Sequence, residues 1–107
     1  MLYIRVSLMT PKADEAPAVA RIMDELLGFY ATQPGFLSGY KLRSADANQQ
    51  IGRVTVWRAG EDADATAQHQ HVLAQRSELT PLIEEHSHTE WSFDAAEASE
   101  SLAAMVG

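Results

Sequence analysis

The strongest constraint on this fold is the stretch Gln-Pro-Gly-Phe-Leu-Ser-Gly-Tyr at positions 33–40. Pro34 cannot continue a helix, because it lacks the backbone N–H and its ring clashes with the preceding turn. Gly35 can adopt the positive φ that a sharp reversal requires. The residues that follow alternate as in a strand, and the alternation predicts one face made of Phe36, Ser38, Tyr40 and Leu42. A helix therefore ends here and the chain returns as a strand.

Hydrophobic periodicity on either side of this reversal predicts two helical regions and four strands. The strands are expected at 2–9, 36–43, 51–58 and 89–93. The helices are expected from an Asp14 N-cap to Tyr30 and from Asp62 to Glu85, with a break at Pro81. The order β-α-β-β-α-β predicts an α+β, ferredoxin-like fold with a four-stranded antiparallel sheet.

A four-stranded sheet with helices on one face leaves its other face uncovered. We expect the uncovered face to carry Tyr3, Ser7, Tyr40, Thr55 and Trp57. Because such a face is too aromatic to remain in water, the sequence predicts a homodimer through the sheet face, closing a dimeric α/β barrel. The predicted domain covers residues 1–94. The tail 95–107 is expected to form a short helix docked on the partner chain.

Composition excludes several classes of function. The chain has no cysteine, so disulfides, thiolate metal sites and thiol catalysis are excluded. Its formal net charge of −7, with only eight basic residues, argues against a nucleic-acid partner. No apolar run is long enough for a membrane span, and the N-terminus has no signal-peptide character. A chain without cysteine suits any redox compartment, so the cytoplasm is the default expectation and not a deduction.

Three features together resemble the antibiotic biosynthesis monooxygenase-like family of the dimeric α/β-barrel superfamily. The first is the stretch 33–40 that leads into the second strand. The second is Val-Thr-Val-Trp at 54–57, followed by the acidic helix start Glu61-Asp62. The third is His71, fourteen residues beyond Trp57. The resemblance covers about residues 1–94. The heme-degrading branch fits least, since the first strand contains no asparagine.

This resemblance implies a cofactor-independent monooxygenase-like enzyme that acts on an aromatic or polyketide-type small molecule. The implied proton acceptor is His71. Helical periodicity instead points His69 inward, beside Val72 and Leu73, and the two histidines cannot both face a pocket from one unbroken helix. Trp57 and Tyr40 are predicted as walls for a flat substrate, and Arg53 as the counter-charge of an anionic ligand.

Other interpretations of the same residues remain open. The histidines can be solvated helix residues, and the aromatic residues can serve in packing alone. The alternative function is a non-catalytic small-molecule-binding or stress-associated homodimer of the same fold. The segment Glu84 to His88 offers two histidines but no third ligand at a compelling spacing, so the sequence predicts no metal site and no cofactor.

Overall fold

The computed structural model describes residues 1–96, and the predicted fold class is confirmed there. The elements in chain order are β1 (Leu2–Met9), α1 (Ala16–Tyr30), β2 (Phe36–Arg43), β3 (Ile51–Trp57), α2 (Gly60–Ala67), α3 (Gln70–Leu79), a 3₁₀ turn (Thr80–Leu82) and β4 (Thr89–Ala95). The strands form one antiparallel sheet in the order β2-β3-β1-β4. The predicted tail spans residues 95–107; Ala95 still belongs to β4, and residues 97–107 lie outside the described part.

Helix α1 supplies most of the core from one apolar stripe. Its buried residues recur at spacings of three and four, as an amphipathic helix requires: Val19, Ile22, Met23, Leu26 and Tyr30. Pro17 occupies the first turn, where its missing N–H leaves no helical hydrogen bond unmade. The N-cap is Glu15 and not Asp14 as predicted, because Asp14 adopts a positive φ of 66° one residue before the cap.

The reversal at Pro34 and Gly35 forms as predicted, but it changes the faces of β2. Gly35 has a φ of 83°, and its carbonyl accepts a hydrogen bond of 2.8 Å from the Arg58 N–H beyond β3. A β-bulge follows between Phe36 and Ser38. Because of the bulge, Phe36 lies on the helix-covered face of the sheet and Ser38 lies on the opposite face. The prediction that both residues share one face of β2 is therefore wrong for Phe36.

The second helical region contains a break that the sequence analysis did not predict. Helix α2 ends at Ala67 and α3 begins at Gln70. His69 between them has an extended backbone, and its Nδ1 accepts a hydrogen bond of 3.1 Å from the His71 N–H, which caps α3. The second helix is therefore two helices, and His69 and His71 lie at the junction.

The assignment of residues to the two sheet faces is wrong for β1 and β3. Ser7, Thr55 and Trp57, expected on the uncovered face, are at most 3% exposed because they lie beneath the helices. Tyr3 pairs directly with Trp57 and shares that side. Tyr40 alone of the predicted set lies on the uncovered face. In β1 and β3, alternation sorts the side chains into the correct two sets. The error lies in which set the helices cover, because they cover the more polar set.

The uncovered face is consequently more apolar than predicted. Cross-strand pairs such as Ile4 with Phe93 and Val6 with Trp91 define it. We call this surface the open face; its members are Ile4, Val6, Leu8, Tyr40, Leu42, Val54, Val56, Trp91 and Phe93. Trp91 is 47% and Phe93 52% exposed. Among residues 1–96, no helix is both long and apolar enough to cross a membrane.

Candidate functional site

A cavity of about 270 Å³ lies between the helix-covered side of the sheet and helices α2 and α3. It is slightly smaller than the roughly 300–1,000 Å³ usual for small-molecule sites. The residues that give it chemical character are arginines, carboxylates and aromatic rings: Arg5, Arg53, Arg76, Asp64, Glu90, Tyr30 and Trp57. They come from β1, β3, β4 and all three helices, so the cavity depends on the whole fold.

Trp57 forms a rigid apolar wall of the cavity. Its ring meets Tyr30 and Phe36 edge to face, with centroid separations of 5.9 Å and 5.4 Å. The indole Nε1 donates a hydrogen bond of 2.9 Å to Thr55 Oγ1, two residues earlier on the same face of β3. Packing and this hydrogen bond therefore both fix the orientation of the ring.

Arg53 is a buried cation for which residues 1–96 supply no neutralising acid. Its side chain donates to Met23 Sδ at 3.5 Å, and its guanidinium carbon lies 5.6 Å from the centre of the Tyr30 ring. The residue is only 5% exposed, yet no carboxylate among residues 1–96 lies within 4.0 Å of it. An ionised group removed from water without a partner costs several kcal/mol, about as much as a broken buried ion pair. An anionic ligand would remove that cost.

Arg5 differs from Arg53 because its charge is already compensated. It donates to Asp64 Oδ1 at 2.8 Å and to Tyr3 Oη at 2.6 Å, and Glu90 lies 3.9 Å away. Burial lowers the pKa of Arg5, but the hydrogen bonds to Asp64 and Tyr3 outweigh burial and the pKa is raised. Asp64 is largely exposed, so this pair links β1 to α2 at the rim of the cavity.

A smaller cavity of about 80 Å³ adjoins the first and shares Arg53 and Arg76 with it. His88, just before β4, lines this second cavity, and its buried Nε2 has no hydrogen-bond partner among residues 1–96. Burial, and then the charge of Arg53, lower the pKa of His88, so its imidazole is neutral at neutral pH. This position of His88 was not predicted, because the local spacing of His86 and His88 raises only the question of a metal site.

Solved structures from several organisms share this fold. SnoaB, a cofactor-independent oxygenase from Streptomyces nogalater, is 20% identical with a TM-score of 0.77, over 91% of this chain and 95% of SnoaB. Rv0793 from Mycobacterium tuberculosis is 15% identical with a TM-score of 0.81, over 92% and 99%. A proposed antibiotic biosynthesis monooxygenase from Nitrosomonas europaea is 18% identical with a TM-score of 0.80, over 88% and 89%. No protein-family model and no curated protein sequence matches the chain.

The chain has the antibiotic biosynthesis monooxygenase-like fold. The resemblance predicted from the sequence is confirmed at that level. The similarity extends over nearly the whole of both chains. Because one fold can carry many functions, the function of this protein has to be argued from the residues of its cavity and not from the fold.

Within this monooxygenase-like fold, two of the five predicted site residues meet at the cavity. Arg53 and Trp57 both line it, four residues apart on the helix-covered face of β3. Tyr40 does not join them, because it lies on the open face and is 62% exposed. The second aromatic wall is Tyr30 from α1, which is not among the predicted site residues.

The two predicted catalytic histidines lie together, but outside the lining of the cavity. Both pack on Phe29 of α1, with centroid separations of 4.7 Å for His69 and 4.3 Å for His71. Both side chains belong to exposed residues. Their role as proton acceptors stays a prediction. Among residues 1–96 there is no group of three or more histidine or acidic side chains that could hold a metal ion.

Proposed function

We propose that the protein is a cofactor-independent monooxygenase-like enzyme whose substrate is a small aromatic or polyketide-type molecule that reacts as an anion. The observation that carries this proposal is the buried guanidinium of Arg53, which has no acidic partner in residues 1–96 and shares a cavity with Trp57. The fold supports the reaction class, since SnoaB, a cofactor-independent oxygenase, has the same fold. The cavity supports the class of ligand.

In this proposal Trp57 and Tyr30 hold the ring system, and Arg53 compensates the charge that develops on it. A phenol or enol loses its proton more readily beside a fixed cation, because the cation stabilises the conjugate base. Burial strengthens this effect, since a guanidinium in a site with little water acts through a lower effective dielectric constant. The predicted proton acceptor is His71 or His69.

The reaction requires only molecular oxygen as oxidant. The substrate anion passes one electron to O₂, and the resulting radical and superoxide combine to form a peroxide at carbon. Loss of water converts that carbon from CH₂ to C=O, so one oxygen atom enters the product and the other leaves as water with both hydrogens. The protein supplies a neighbouring cation and a pocket that limits access of water.

The test is aerobic oxygen uptake by metal-free protein supplied with anthrone. We expect uptake above the buffer rate, lowered roughly 100-fold or more by Arg53→Met, as when one charge-stabilising group is removed. Arg58→Met is the matched control, because Arg58 is an exposed arginine just beyond β3. Uptake no faster than in buffer, for anthrone and for dihydroxy-aromatic substrates, would refute the reaction. Ligand binding without uptake would instead support the non-catalytic alternative.

The predicted role of the histidines is tested in the same assay. His69→Ala and His71→Ala should each be made, because each histidine packs on Phe29 and removal of one leaves the other in place. Loss of rate in one variant, regained at higher pH, would support a proton-acceptor role. An unchanged rate in both variants and in the double variant would contradict that role.

We also propose that the open face is the interface of a homodimer. Nine apolar side chains from all four strands form it, and an apolar surface of this extent on one face of a soluble domain marks an interaction site. A second copy is the simplest partner, because two such faces are self-complementary about a two-fold axis. A stable interface would bury at least about 1,200 Å² in total.

Sedimentation of the wild type and two lysine variants tests the dimer. Phe93→Lys places a charge at the centre of contacts between β4 and β1 on the open face. Leu73→Lys is the matched control, since Leu73 is 43% exposed but lies on α3. We expect dimers for the wild type and the control, and monomers for Phe93→Lys. A monomeric wild type at micromolar concentration would overturn the proposal.

A further inference from the structure

We propose that His88 makes this site selective for a ligand that carries a hydroxyl group directly beside its anionic oxygen. The inference rests on the proposed binding of an anion at Arg53 and adds the substrate feature that the adjoining cavity recognises. It concerns ligand recognition, and it requires no role for His88 in the chemical step.

The size of the second cavity limits what can enter it. A water molecule occupies about 30 Å³ of liquid, so a space of about 80 Å³ holds a group of two or three heavy atoms and not an aromatic ring. The ring must therefore stay beside Trp57 in the larger cavity. A carboxylate, or a phenolate with its neighbouring substituent, is the size of group that fits between Arg53 and Arg76.

Four polar side chains line this space. Thr80 already donates its hydroxyl hydrogen to the Arg76 carbonyl at 3.0 Å, so Arg53, Arg76 and His88 are the groups considered for the ligand, and their hydrogen-bonding capacities differ. Arg53 and Arg76 are donors only, so they match an anionic oxygen of the ligand. His88 is neutral, so one of its ring nitrogens is an acceptor, and we assign the lone pair to Nε2, the nitrogen that is buried without a partner in residues 1–96. An anionic oxygen of the ligand has no proton to donate to Nε2. A hydroxyl group next to that oxygen can donate its proton in a hydrogen bond to Nε2.

The magnitude of the expected preference between ligands depends on His88 Nε2, which has no hydrogen-bond partner in residues 1–96. The atom is buried, and in residues 1–96 nothing donates to it. A ligand without the hydroxyl would leave it buried and unsatisfied, whereas a ligand with the hydroxyl would satisfy it. A buried acceptor left without a donor carries a penalty that corresponds to a preference of about ten-fold or more for the ligand that satisfies it. The expected substrate class is thus a hydroxy-aromatic acid, or an enol with an adjacent phenol.

The test compares calorimetric affinities for salicylate, benzoate and 4-hydroxybenzoate, which differ in the presence and position of one hydroxyl group. We expect the wild type to prefer salicylate to both other acids by about ten-fold. His88→Leu should abolish this preference while leaving the affinity for benzoate within about three-fold, which also shows that the variant is folded. His88→Gln, which keeps an acceptor, should retain part of the preference.

His86→Leu is the matched control, because that histidine lies two residues away and its side chain is 89% exposed. It should bind all three acids as the wild type does. Equal binding of salicylate and benzoate by the wild type overturns this inference alone, since the proposed anion site then remains. A preference that survives His88→Leu also overturns it. If neither acid binds, the proposed anion site and this inference fall together.

Discussion

The Arg53 guanidinium carbon lies 5.6 Å from the centre of the Tyr30 ring, so an aromatic face takes the place that a carboxylate would normally fill. A desolvated contact of this kind contributes about 2 kcal/mol, less than the cost of burying the charge. We therefore expect the free protein to hold Arg53 at the expense of stability. Such an exchange is expected where a residue serves a ligand rather than the fold.

Replacing Arg53 by methionine should consequently stabilise the protein. Methionine keeps the unbranched shape of the side chain and removes a buried charge, and we expect a gain of about 1–3 kcal/mol in the free energy of unfolding. Urea denaturation measures it, with Arg58→Met expected to change stability by less than about 0.5 kcal/mol. A loss of stability in Arg53→Met would show that the guanidinium is structurally required.

Asp64 should weaken anion binding through its own charge. The carboxylate lines the cavity and pairs with Arg5, so Asp64→Asn leaves more positive charge at the rim. We expect a roughly two- to five-fold higher affinity for benzoate, and a smaller effect at high salt. Stability should change by less than about 1 kcal/mol, because the pair is largely exposed on the Asp64 side.

The matched control for Asp64→Asn is Asp24→Asn. Asp24 also forms an ion pair of 2.8 Å, with Lys41, and its side chain is 61% exposed, but it does not line the cavity. The control should leave the affinity unchanged. An equal increase in both variants would mean that net charge, and not the position of Asp64, controls binding.

Substitution by alanine should change the stability of the protein in opposite directions at two glycines. Gly35 has a φ of 83°, and an added Cβ would collide with the Asp62 side chain, so Gly35→Ala should cost about 2–4 kcal/mol. Gly28 lies inside α1, and an added Cβ would meet open space within the described residues 1–96, so Gly28→Ala should gain about 0.5–1 kcal/mol. Thermal denaturation of both variants measures the difference. A tolerant Gly35 would contradict the positive φ.

The contribution of His88 to stability should depend on pH. Its pKa is lowered in the folded state, so the unfolded chain binds the proton first as the pH falls. The full contribution is present above about pH 6.5 and is lost as the pH falls through the lowered pKa. Burial, and then the charges of Arg53 and Arg76, lower the pKa of His88, and Glu90 on β4 partly opposes them.

The measurement is urea denaturation of the wild type, His88→Gln and His86→Gln between about pH 5 and 7.5. The wild type and His86→Gln should lose stability in parallel below about pH 6.5, and His88→Gln should lose less. Parallel curves for all three proteins would show that His88 is not held neutral by its surroundings.

The sequence predicts the fold because the local signals agree with one another. The alternation of β1, the apolar stripe of α1 and the stop at Pro34 each point to one element, and their order permits few topologies. Which face the helices cover depends instead on long-range packing. Alternation in β1 separates Arg5 and Ser7 from Ile4 and Val6, but it carries no information on which set meets α1 and which meets a second copy.

The candidate site could be predicted only in part for the same reason. Arg53 and Trp57 share a face of β3, and period-two alternation places them together. His88 joins them through the pairing of β4 with β1, thirty-five residues after Arg53, which no local pattern reveals. The break at His69 was missed because a histidine N-cap is not a usual helix start signal.

The two tryptophans should report separately on the cavity and on the open face. Trp57 is 2% exposed in the cavity wall, and Trp91 is 47% exposed on the open face. In Trp91→Phe, the fluorescence of Trp57 should be that of a buried indole, and it should change when salicylate or benzoate binds but not when the protein is diluted.

In Trp57→Phe, the fluorescence of Trp91 should respond in the opposite way. Dilution from a dimer to a monomer should shift its emission to longer wavelength, because the indole passes from an apolar interface into water. Ligand should have little effect, since Trp91 and the cavity lie on opposite faces of the sheet. Trp57→Phe also loses the hydrogen bond to Thr55, at a cost of about 1 kcal/mol, so folding is checked by circular dichroism. If Trp91 responds to ligand and not to dilution, the proposed separation of a binding face from a dimer face is wrong.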